Sequence, residues 1–220
     1  MTALASPKII ELRALLEARF PARGGAAVAA PARGTGLPSL DALTGGGLPR
    51  GALVEVVRPR PGAGGATFLH CLLAEAARRG GRLALVDAHG RFDFEGLMPS
   101  ILRSLLWVRG ADTSAGVRAA DLLLRDGSFP LVALDLADAP SAELDALPLS
   151  TWHRLAQAAG QSDVSTVVLT PAPMVSAAAF RLELGGRTDL EAFTRQRGEL
   201  GAALRWHQVR RRPAFVATAG

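Results

Sequence analysis

The chain contains no tyrosine, one cysteine, and a single lysine, Lys8, among its twenty-five Lys and Arg residues. The lone Cys71 excludes an intramolecular disulfide and fits a reducing, cytoplasmic compartment. It falls in the apolar run of an expected helix, which favours a buried, inert thiol over a nucleophile. His70, His89, His153 and His207 are scattered without metal-ligand spacing, so no metal site is expected. With aromatics at 5%, a base-stacking platform for single strands is a weak reading. No apolar run approaches about eighteen residues, and Pro7 to Arg19 interleaves charges with aliphatics; neither a membrane span nor a secretory signal is expected. The scarcity of lysine accompanies abundant Ala, Gly and Pro, the mark of a GC-rich coding sequence, and carries little functional weight.

What remains is a chain of 220 residues, 49% hydrophobic, long enough for one well-buried domain with an arm. Charge is unevenly spread: net +3 over residues 1–33, −2 over 34–180 and +4 over 181–220. Ser6 and Pro7 open an amphipathic helix through Phe20, with Ile9, Leu12, Leu15, Leu16 and Phe20 near one face. Residues 21–36 are rich in Pro, Gly and Ala and read as a linker. The expected division is therefore an arm over 1–33 and a core over 34–220 ending in a basic segment. From residue 52, short apolar runs at 52–57, 82–87, 105–108, 130–134 and 164–169 alternate with helical patterns at 66–79, 94–104, 114–125 and 150–159. Such alternation predicts an α/β fold, a mostly parallel sheet flanked by helices on both faces. Ligands in that architecture meet the carboxyl ends of the strands. Residues 179–184 and 202–210 read as added strands near the C-terminus, separated by a polar, Gly- and Arg-rich stretch at 185–201.

Residues 53–67 run from an apolar strand through a Gly-rich turn into an apolar helix, the setting of a phosphate-binding loop. A working loop has the spacing G-x-x-x-x-G-K-[ST]. Aligned on Gly65 and Thr67, the first Gly becomes Arg60 and the Lys becomes Ala66. Each charge-assisted contact of that Lys is worth roughly 1.5–3 kcal/mol, so losing two weakens phosphate binding by about 100- to 10,000-fold. Arg60 is a substitute cation in principle, but Pro59 and Pro61 bracket it and restrict the backbone. A plain Gly/Pro surface loop fits the same residues.

The run from Gly34 through Leu37-Pro38-Ser39-Leu40-Asp41, Gly45-Gly46-Gly47 and Gly51 to Val56 leads directly into this loop. It resembles the entry to the RecA-family ATPase core, and Leu131 to Asp135 looks like its Walker B strand. The Arg60 and Ala66 departures, the short length and the basic tail are most similar to the ImuA family of RecA-like proteins, with SulA-like division inhibitors as more distant relatives. The resemblance implies a RecA-like core with an N-terminal helical arm. Carried over, Thr67 keeps the loop hydroxyl and Asp135 the Walker B carboxylate. The water-activating glutamate falls at His89 and the adenine-stacking aromatic at Gly96, while Pro171 and Pro173 replace the polar switch residue. Arg60, Gly62, Gly64, Gly65, Ala66, Thr67 and Asp135 are thus expected to be vestigial, with no cofactor and no hydrolysis.

Function is then expected in contacts. Ile9, Leu12, Leu16 and Phe20 of the arm, with Ala26 to Ala30 as an added strand, and Arg205, Arg210, Arg211 and Arg212 of the tail are the expected partner-binding residues. In period-2 alternation Arg205 and His207 lie opposite Trp206 and Gln208. The implied role is a non-catalytic adaptor in SOS-induced translesion synthesis that binds the RecA recombinase and an ImuB-type polymerase homologue. Alternatives are a divergent ATPase using Arg60, a SulA-like inhibitor, and direct DNA binding, for which four phosphate contacts give a salt slope of roughly −3.6.

Overall fold

The computed structural model describes residues 31–95, 97–185 and 197–211, without the side chains of 197–199 and 210–211. The expected arm helix, with Ile9, Leu12, Leu16 and Phe20, lies outside the described residues, as do Gly96 and Arg212. The elements in chain order are α1 (Pro38–Thr44), β1 (Ala52–Val57), α2 (Gly65–Arg78), β2 (Leu83–Asp87), α3 (Pro99–Leu102), β3 (Leu105–Arg109), α4 (Thr113–Asp126), β4 (Leu131–Asp135), α5 (Ser141–Asp145), α6 (Ser150–Ser162), β5 (Ser165–Thr170), β6 (Phe180–Gly185), α7 (Arg197–Ala203) and β7 (Arg205–Arg211).

One seven-stranded sheet has the order β3-β2-β4-β5-β1-β6-β7. All neighbours are parallel except β6 and β7. The expected fold class holds, and the antiparallel pairing is confined to the C-terminal end. β2 and β5 are buried along their whole length, and β4 at all but its last residue. That is why these strands read as continuous apolar runs rather than alternating ones. Alternation persists underneath: Leu83 and Leu85 join the core with Phe68, Leu69, Leu72 and Leu73 of α2, whereas Ala84 and Val86 join the core with α4 and α6 around Trp152. Period-2 side chains thus divide one sheet between two helical layers. Asp112 caps α4 by accepting the Ala115 N–H at 2.6 Å, worth about 1 kcal/mol.

Three sequence expectations change. The helix at 94–104 shrinks to Pro99–Leu102, because Pro99 holds Met98 extended (φ −66°, ψ 144°) and the chain before it is turned by local bonds, Glu95 N–H to Asp93 Oδ1 at 2.8 Å and Leu97 N–H to Phe94 O at 3.1 Å. The strand expected from 202 begins at Arg205, and the polar stretch before it supplies α7. Gly201 lets α7 lie against α2, since a Cβ there would stand 2.7 Å from Cys71 Sγ. Cys71 is half-buried, and burial pushes its thiol pKa up. The short helix α5 had no clear signal in sequence.

The β5–β6 connection passes over β1, tied by the Ala179 N–H to Leu53 O at 2.8 Å. Glu55, fully buried on β1, holds this crossover. Its carboxylate accepts from Met174 N at 2.6 Å, Val175 N at 2.9 Å, Thr170 Oγ1 at 3.2 Å, and from Arg181. Four donors satisfy a charge that would otherwise be prohibitive in that core.

Candidate functional site

β1 ends at Val57, and its direction carries Arg58 to the α2 side of the sheet, following Val54 and Val56. The Arg58 N–H still extends the ladder to Thr170 O at 2.7 Å. Residues 58–64 then turn into α2, closed by an Ala63 N–H to Arg60 O contact at 3.4 Å. Gly64 caps the helix at φ +100°, a conformation open to glycine. A Cβ on Gly64 would meet Leu204 Cδ2 at 2.3 Å, so Leu204 packs directly on the loop from the α7–β7 turn. Beside it, Trp206 stacks edge-on against Phe68 with ring centroids 5.2 Å apart.

Across this loop stand the ends of β2 and β4, where Asp87 and Asp135 are register partners. Asp87 is buried and committed: it accepts from the N–H groups of Arg91 and Phe92, at 2.9 and 3.0 Å, and from Trp107 Nε1 at 3.3 Å. Asp135 accepts the Ala137 N–H at 3.0 Å. Burial raises its pKa from 3.8 to about 6, against the Ala137 hydrogen bond and the pull of Arg58, and the Asp87 and Asp138 charges push the same way.

Arg58 is the residue that sequence reasoning missed. Its side chain is 12% exposed and forms an ion pair with Asp138. Its stem crosses the start of α2 so closely that a Cβ on Gly65 would stand 2.8 Å from Arg58 Cδ. The signal was present: a cation directly after a buried strand, three residues beyond Glu55, on the side that Val54 and Val56 define. Attention to the motif spacing placed the substitute cation at Arg60 instead. Arg60, Gly62 and Ala66 are exposed, Gly64 and Thr67 half-buried, and Gly65 buried.

His89 sits in a turn, with Nε2 3.1 Å from Thr113 Oγ1 and 3.6 Å from Glu143 Oε2. It is tied to α4 and α5 rather than to the head of α2. A triphosphate gripped here would need a cation over the helix start and a free carboxylate facing a metal. The structure has Ala66 at the first place, the Arg58 stem lying across Gly65, and a carboxylate whose pKa burial raises to about 6. These residues do not fit a nucleotide held in P-loop fashion.

Arg205 and His207 are exposed on β7, the last strand of the sheet, and Trp206 faces inward, as the alternation predicts. Gln208 is exposed as well, beside an irregularity at Arg181/Leu182. Arg210 and Arg211 pair through their backbones with Arg181 and Phe180.

No family model matches the chain. Curated relatives are RecA proteins: that of Rhodospirillum rubrum is 37% identical over 121 residues, covering 50% of this chain and 31% of that protein. RecA of Chloroherpeton thalassium is 34% identical over 125 residues, 54% of this chain and 35% of the relative. The chloroplastic DNA repair protein recA homolog 1 of Arabidopsis thaliana is 30% identical over 115 residues, 50% and 26%. The chain thus spans 26–35% of the length of these relatives. The crystal structure of the RadB recombinase superposes with a TM-score of 0.55 at 22% identity, covering 69% of this chain and 82% of that one. The chain is homologous to RecA proteins over about half its length and has the RecA/RadB fold. Among the described residues no helix is long and apolar enough to cross a membrane.

Proposed function

We propose that this protein is a non-catalytic, cytoplasmic RecA-like adaptor of the ImuA type, joining the RecA recombinase to an ImuB-type polymerase homologue during SOS-induced translesion DNA synthesis. The observation that carries the reading is Arg58, laid over Gly65 and paired with Asp138 where a nucleotide-using relative would keep room for phosphate. An internal guanidinium there supplies the loop's counter-charge from within the chain. Binding energy is then left to the surfaces: the arm with Ile9, Leu12, Leu16 and Phe20, and the cationic tail with Arg205, Arg210, Arg211 and Arg212. DNA contact, in this reading, comes through the partners.

Capture assays against recombinase and polymerase homologue test it. Removing residues 200–220 would also remove Leu204 and Trp206 from the core, so the tail is better probed by Arg205→Glu with His207→Glu. Full-length protein is expected to retain both partners, with the arm deletion or the tail variant losing one of them. Retention of neither partner by the full-length chain overturns the reading.

The same Arg58 favours one competing reading, a divergent ATPase whose phosphate cation is Arg58 rather than Arg60. The two readings part on Arg58→Ala. A divergent ATPase loses its nucleotide affinity, whereas the adaptor has none to lose.

A further inference from the structure

At the other end of α2, roughly 20 Å from the loop for a helix of 14 residues, lies a cavity of about 240 Å³. Four arginines line it: Arg33, Arg50 just ahead of β1, Arg79 past the end of α2, and Arg82 just ahead of β2. Glu75 is the acidic residue in the lining, and it is already engaged by Arg78 at 2.7 Å and Arg79 at 2.5 Å. Arg50 pairs with Asp163 on the outside. Arg82 lies over the Phe129 ring, 5.1 Å from its centroid.

Two donors in this cluster are unmet. The Nε atoms of Arg33 and Arg50 are both buried and reach no acceptor among the described residues. A buried donor without an acceptor is costly, the more so on a charged group. Burial, followed by repulsion from Arg50, holds the Arg33 guanidinium below its ordinary pKa. The last α2 carbonyls do not oppose an anion strongly, because the N–H groups of Arg79, Gly80 and Gly81 cap Glu75, Ala77 and Ala76 at 3.1, 3.0 and 2.8 Å. Arg50, Arg79 and Arg82 each have a partner, yet four arginines against one carboxylate leave the lining of this void positive, with the Nε of Arg33 and of Arg50 unmet. A dianion suits it: phosphate offers several acceptor oxygens and a charge near −2, matching forked donors from more than one side.

We propose that this cavity is a binding site for a phosphate group, held between Arg33, Arg50, Arg79 and Arg82. The ligand is either a small phosphorylated molecule or the terminal phosphate of a nucleic acid, since both present the same dianionic group. The site stands apart from the reading of the loop and needs no nucleotide bound there.

The test is calorimetric titration of the full chain with pyrophosphate at constant ionic strength, alongside thermal unfolding. Wild type is expected to bind and to gain in melting temperature, with Arg33→Met binding at least about tenfold more weakly. Without phosphate, Arg33→Met is expected to melt no lower than wild type, because it removes an unpaired charge beside Arg50. Should that variant fail to fold, the exposed Arg82→Gln reads the same loss. A 5′-phosphorylated oligonucleotide that competes where its 5′-hydroxyl form does not identifies a nucleic-acid end; competition from free phosphates alone identifies a small ligand. No pyrophosphate binding by wild type, or equal binding by Arg33→Met and Arg82→Gln, overturns the proposal.

Discussion

Asp135 shows how a single, partly buried carboxylate sets a pH dependence. Its folded pKa, about 6, lies above the ordinary 3.8, so the native state holds a proton that the unfolded chain releases. Stability contributed by that proton is full below about pH 4 and is lost as pH rises through about 6. Asp135→Asn keeps the acceptor for the Ala137 N–H and removes the titration. The variant is expected to be more stable than wild type by about 1–3 kcal/mol at pH 7.5, with the gap closing near pH 4 in urea unfolding series. A gap that is flat across this range contradicts the assignment. Glu55 is a buried charge fully met by its donors. Glu55→Ala strands Arg181 and two backbone N–H groups, and a loss on the order of 3–5 kcal/mol is expected by denaturant titration; Glu55→Gln, which keeps an acceptor, costs less.

Among the elements, the docking of α7 and β7 on α2 decides how the loop is covered. Leu204 is 8% exposed and rests on Gly64, and Trp206 meets Phe68. Leu204→Ala is expected to destabilise by about 2–4 kcal/mol and to raise amide exchange over residues 58–64. Unchanged exchange there would mean the turn is not a cover. These contacts also mark the limit of what the sequence discloses. The parallel strands were legible because Leu131 to Leu134 and Leu83 to Val86 are buried on both faces and so print as unbroken apolar runs. The helical pattern at 114–125 fell within a residue of α4 at each end, where Asp112 and Gly127 cap it. α7 was not, because its Gly201 signals a break locally and earns its place only by contact with Cys71, which is distant in sequence. Likewise, the loss of Lys at Ala66 is written in the motif, and a cation directly after the strand is written at Arg58, but its pairing with Asp138 is not, because the two residues meet only in the folded sheet.

For the molecule as a whole, the sheet order and the RecA similarity give a scaffold, and the proposed adaptor role requires that this scaffold no longer hold nucleotide at the head of α2. The most direct measurement is titration of the pure full-length protein with ATP and magnesium, read by calorimetry and by phosphate release, beside Arg58→Ala. Neither protein is expected to show saturable binding at micromolar ATP or any phosphate release. Micromolar binding that disappears in Arg58→Ala, or steady phosphate release by the wild type, would contradict that role.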